Sequence, residues 1–155
     1  CVNLPIAATK PVADVTLMLA MTHTWVGDLV FKLVHPGGKV LTLMNRPGTI
    51  EPGDGVAPPG NPNWANLNAQ FPLLFRDPGL KDAETMGNGL TSTDTVCGTD
   101  NQCDYTPNHG SGPGLKFSDF AGLNPMGNWR FCVADDASID VGTLSAVTLT
   151  ISLAP

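Results

Sequence analysis

Between Val147 and Leu153 the apolar residues Val147, Leu149, Ile151 and Leu153 alternate with Thr148, Thr150 and Ser152, and this pattern constrains the fold more than any other. A period of two puts successive side chains on opposite faces of an extended strand, so one face is buried and the other wet. Shorter strand-like runs precede it at Val15 to Met21, Leu29 to His35, Lys39 to Met44 and Trp129 to Ala134. Pro36-Gly37-Gly38 separates the second run from the third and is a turn signal, so those two predict a hairpin. No helical period appears, and the 17 glycines and 14 prolines divide the 155 residues into pieces too short for long helices. The reading is an all-β chain of short strands joined by turns.

A chain of this length buries about two-thirds of the surface that its unfolded form exposes, enough for one self-sufficient domain over residues 1–155. Within it, a long loop-rich insertion is expected at about 49–114, where Gly, Pro, Asn and Asp are dense and the island Phe71 to Phe75 is short. A second island, Leu115 to Phe120, follows. The first residue is Cys1 rather than Met, and the first residues lack the basic start and apolar centre of a signal peptide, so a mature or excised segment is expected.

Fourteen acidic against eight basic side chains give a net charge of −6, which repels phosphate backbones, and no Lys/Arg cluster offers an exception. Nucleic acid is therefore not expected as a partner. Nor is a membrane, since no run approaches the ~20 apolar residues needed to cross one. Four cysteines permit three complete pairings. Cys97 and Cys103 share a Gly/Asn/Asp-rich loop that suits a short disulfide, leaving Cys1 to meet Cys132, and such bridges imply a secreted home. Zinc at Cys97, Cys103 and His109 has too few ligands at no standard spacing.

Candidate chemistry is sparse. Ser111, in His109-Gly-Ser-Gly-Pro-Gly114, lacks the sharp strand-to-helix turn that presents a catalytic serine, and no zinc-protease, phosphate-loop or EF-hand motif is present. Trp25 and Trp129 suit plugging a sandwich at strand ends, whereas Trp64, in a polar loop, is the better candidate for stacking on a ligand. The carboxylates remain. Asp28, then Asp77, Asp82 and Glu84 in FRDPGLKDAE, then Asp135 and Asp136, all fall at strand ends. If those ends converge they supply hard oxygen ligands suited to Ca²⁺; otherwise each caps its own turn.

Two ordered motifs carry a family resemblance. THTWVGDLVFKLVHPGGKVLTLMNRPG, Thr22 to Gly48, and GNWRFCVADDASIDVGTLSAVTLTI, Gly127 to Ile151, together resemble the P domain, or Homo B domain, of subtilisin-like proprotein convertases and secreted bacterial proteases. The resemblance implies a jelly-roll β-sandwich of two antiparallel sheets, related to galactose-binding-like modules. It implies a non-catalytic accessory role: packing against a protease catalytic domain in the same parent chain, helping it fold, and assisting in binding a proteinaceous substrate. The parent would be a subtilisin-type serine endopeptidase or a secreted metalloprotease, with a bacterial origin expected from the middle loop. Calcium at the sandwich edge is implied for some members, with Asp28 and Asp135 as first candidates here and Asp77 next. This chain departs from the pattern at His35-Pro36, where Ser-Pro is usual, and at Val147, where an aromatic is usual. The alternative is a free-standing carbohydrate- or protein-binding module centred on Trp64.

Overall fold

The computed structural model of the chain describes residues 1–51 and 63–155. Among these described residues nine strands run in order: β1 (Val2–Ile6), β2 (Val12–His23), β3 (Leu29–Val34), β4 (Val40–Asn45), β5 (Leu73–Phe75), β6 (Lys81–Asp82), β7 (Asp104–Thr106), β8 (Gly127–Asp135) and β9 (Gly142–Leu153). Every strand-like run of the sequence lies within one of them or overruns it by a single residue. The predicted hairpin is β3–β4, paired antiparallel with Leu33 opposite Leu41. Its turn closes by hydrogen bonds from His35 N to Lys39 O and from Gly38 N to His35 O, with Gly38 at φ +88° supplying the left-handed residue.

The strands form two packed sheets, the β-sandwich expected. One has the order β1-β8-β3-β4, the other β6-β7-β5-β2-β9. The first is antiparallel throughout. The second is mixed, because β7 lies parallel to both β5 and β6, and here the structure departs from two purely antiparallel sheets. The cause is a crossover between β5 and β6: Gly79 lies so close over β7 that a Cβ there would stand 2.1 Å from the Tyr105 carbonyl carbon. Parallel neighbours need such a crossing, which a tight hairpin cannot provide.

The expected insertion at about 49–114 is partly structural. It supplies β5, β6 and β7 and buries Leu67, Leu73, Phe75, Met86, Val96 and Tyr105 in the common core. Its segment 52–62 lies outside the described residues. Between the sheets, Leu17 and Leu19 of β2 share the core with Phe31 and Leu33 of β3, Leu41 and Leu43 of β4, and Phe131 of β8. Phe31 packs edge-on to Phe75 with ring centroids 6.2 Å apart, an aromatic contact that adds to simple burial. Trp129 plugs one end as expected, fully buried, its indole N–H donating to Pro125 O at 2.9 Å. Both expected disulfides are present, Cys1–Cys132 joining the start of the chain to β8 and Cys97–Cys103 closing a short loop. The zinc reading therefore lapses: both thiols it needed are consumed.

Candidate functional site: an acidic end and an open seam

The opening motif folds into one end of the sandwich. After β2, Trp25 turns the chain into a 3₁₀ turn, Val26–Asp28, tied down by bonds from Val26 N to Ala65 O and from Gly27 N to Asn63 O. His23 is buried, and its Nδ1 accepts from Trp25 N at 3.1 Å. In that tautomer Nε2 carries the proton and donates to Asp135 Oδ2 at 3.2 Å. The imidazole thus pins a corner. Asp136 N donates to Asp28 O at 2.9 Å, which draws the end of β8 onto the same corner.

Asp28, Asp135 and Asp136 are therefore neighbours, and two residues not anticipated join them. Arg46, at φ +50°, pairs with Asp136 at 2.9 Å, and Asp140 accepts from Thr24 Oγ1 at 2.6 Å. Asp140 could have been found, because it opens the DxGTL element of the closing motif; nothing in the sequence around Arg46 marks it. Asp28 is buried, and desolvation pushes its carboxyl above the usual carboxylate range. The charges of Asp140 and Asp135 push the same way, while Arg46 and His23 partly offset them.

Among the described residues, the other carboxylates bond at other places. Asp82 caps the 3₁₀ turn Ala83–Thr85, accepting from Glu84 N and Asn108 Nδ2, both at 2.8 Å. Glu84 is buried and accepts from Gly48 N at 2.7 Å. Asp77 accepts from Ser118 N through Oδ2, while its Oδ1 is buried with no hydrogen-bond partner among the described residues. These are the turn-capping roles weighed against calcium in the sequence. Among the described residues, no group of three or more His, Cys, Asp or Glu side chains is placed to hold a metal ion.

Ser111 donates to Glu51 Oε2 at 2.9 Å, and the nearby His109 engages Gly112 O through Nδ1, so the two do not form a nucleophile–base pair. Its glycine-rich surroundings serve packing. Gly114, at φ +81°, lies where a Cβ would stand 2.3 Å from Val40 O, and Thr42 N donates to Pro113 O at 2.9 Å. The loop seals the outer edge of β4. Trp25 is not in the buried core as expected. It is half-buried, with its ring centroid 5.4 Å from that of Trp64, which is about half exposed.

On the opposite flank the sandwich is not sealed. Register pairs Val147, Leu149 and Ile151 of β9 with Leu19, Leu17 and Val15 of β2, so their side chains point inward. Yet all three are only half-buried, because the facing edge strand β1 is short. Two recesses open there. One of about 220 Å³ is lined by Val2, Leu4 and Leu144 to Val147; the other, about 250 Å³, by Met21, His23, Leu29, Val133, Asp135, Gly142 and Leu144. Leu144 is common to both.

Residues 12–64 match the family model described as the proprotein convertase P-domain. The P-domain resemblance is upheld. The match covers β2 through the hairpin, and the second motif, beyond it, folds into β8, which pairs with β3 of that hairpin, and β9, which pairs with β2. No curated protein and no solved structure gives a significant match. The P domain is a non-catalytic accessory domain of proprotein convertase-like proteases, and the match supports that role, with a protease catalytic domain as the implied associate. Two disulfides are consistent with an extracellular location. No helix among the described residues is long and apolar enough to cross a membrane.

Proposed function

We propose that this chain is the accessory P domain of a secreted bacterial protease, that it stabilises the catalytic domain or helps it fold, and that it assists in binding proteinaceous substrate. The observation that carries the reading is the P-domain match over residues 12–64, on a scaffold whose corner His23 and Ser111 are engaged in structural bonds. A subtilisin-type serine endopeptidase or a secreted metalloprotease is the parent we expect. The test is expression of such a catalytic domain with and without this chain attached. The reading expects a higher yield of active, protease-resistant enzyme with the chain. Equal yield and equal thermal inactivation with and without it would remove the reading.

Calcium stabilisation forms part of the proposal, with Asp28 and Asp135 as the residues to hold the ion. Mutual repulsion at that end is the supporting observation. A bound cation would neutralise that repulsion. An ion that binds only the folded chain adds about 2.7 kcal/mol at a hundredfold excess over its dissociation constant. Chelation should then lower the melting temperature and added calcium restore it; melting indifferent to both would eliminate the ion.

A second reading, a carbohydrate- or protein-binding module, draws on the half-exposed Trp64 packed at a tilt against Trp25. It expects the isolated chain to retain polysaccharide or fibrous protein and Trp64→Ala to lose that retention.

A further inference from the structure

β9 ends its sheet: it pairs with β2 alone, and among the described residues no strand lies along its other side. Every second residue of an antiparallel edge strand points its N–H and C=O away from its neighbour, into solvent. Proteins usually blunt such edges with charge, proline or irregularity. From Ala146 to Ser152 the pairing is regular and the sequence AVTLTIS holds neither a charge nor a proline, in a chain with a net charge of −6. Bulges bound this run at both ends: Ala146 and Leu144 pair with consecutive residues of β2 at one, and Ser152 and Leu153 pair with Asp14 and Val12 at the other. The other sheet's edge strand across the seam, β1, does carry a blunting residue, Pro5.

Beside this edge run the two adjoining recesses. The smaller is walled by Val2, Leu4, Ala146 and Val147 and suits one apolar side chain. The larger has apolar walls, Met21, Leu29, Val133 and Leu144, and a carboxylate, Asp135, at its polar end. It adjoins the first residue of β9: Gly142 is so close to His23 that a Cβ there would lie 2.5 Å from the imidazole Cδ2, and His23 in turn holds Asp135. An aliphatic stem with a cationic head fits such walls and such an end. Asp140 and Asp28 add negative field at the same place.

We infer that β9 and the seam beside it receive an extended polypeptide strand from another protein or domain. The strand carries apolar side chains at alternate positions and a Lys or Arg at the end that lies beside Gly142. Main-chain bonds to β9 supply affinity, the apolar recess selects register, and Asp135, in chelator and so without the ion proposed for it, selects the basic residue. The inference deepens the accessory-domain reading, resting on it only in taking the partner to be polypeptide.

The probes are short synthetic peptides alternating Val and Thr and ending in Arg, Gln or Glu. The Arg-ended peptide should bind about tenfold or more tighter than the Gln-ended one, the Glu-ended one weakest, and Asp135→Asn should erase the preference. Hydrogen exchange should slow at Ala146 to Ser152 on binding and stay unchanged in β4. Equal affinity for all three peptides, no binding of any, or protection away from β9 would overturn the inference. So would protection of β9 that rises with protein concentration and no peptide, since the occupant would then be a second copy of this chain. The peptide series on the unaltered chain keeps the test valid if Asp135→Asn disturbs folding. Should no peptide bind while the chain still raises protease yield, the inference falls and the accessory reading stands.

Discussion

The outer strands β4 and β9 end their sheets in opposite ways. β4 is covered: Thr42 N and Asn108 N make bonds across its outer edge with Pro113 O and Leu43 O, and the loop that provides them runs through glycines that permit backbone contact. Leu41, Thr42, Leu43 and Met44 are all buried as a result. β9 has the cleaner alternation of apolar and polar residues and yet no position of it is fully buried. A regular strand pattern therefore tells which face points inward, while burial depends on whether something lies opposite. The difference also separates roles: the covered edge contributes stability, and the bare one offers unpaired main chain to a partner.

The contrast is tested most severely by one truncation made on both strands. Leu41→Ala should cost about 2–5 kcal/mol, the range for a buried leucine in a well-packed core. Leu149→Ala should cost about 1–2 kcal/mol, because the side chain is already partly in contact with solvent. Urea midpoints at unchanged slope would measure both, and equal losses would mean that the seam is closed in solution. Next in size is Gly114→Ala. Its left-handed backbone and the missing space beside Val40 O predict a loss of about 1–3 kcal/mol, with faster hydrogen exchange at Thr42 if the seal is what fails.

Filling the open side should act with the reverse sign. Val147 points inward opposite Leu19 and borders the recess of about 220 Å³, so Val147→Trp should bury its ring there and raise stability by about 1 kcal/mol. A melting temperature that falls would show the recess unable to take the ring. The smallest effect is expected at the acidic end. Asp28 has a folded-state pKa above its unfolded value, so between those two values the folded chain binds more protons than the unfolded one. Stability is gained below the unfolded pKa and lost as pH rises through the folded one. In chelator, Asp28→Asn should flatten that part of the melting profile and leave the chain more stable at neutral pH; an unchanged profile would remove Asp28 as its source.

Local signals carried much of this. Alternation in Val147 to Leu153, the Pro36-Gly37-Gly38 turn and the paired cysteines depend on neighbours in sequence or on composition, and each appears as read. The two P-domain motifs also announced which strands would form. Apart from the Cys1–Cys132 bridge, the sequence was silent where distant segments meet. Asp77, Asp82 and Glu84 look like companions of Asp28 in one dimension, but they accept bonds from Ser118, Asn108 and Gly48 in three. Arg46 joins the acidic end only because the hairpin returns it beside Leu29, whose carbonyl accepts from Arg46 N. The glycines after His109 permit a close seal on β4 that only the folded arrangement shows. Side-chain period is fixed by backbone geometry within a strand, so the sequence alone set which residues face inward. Whether an inward face is covered depends on what crosses it, and only the tertiary arrangement left β9 facing a strand too short to close over it.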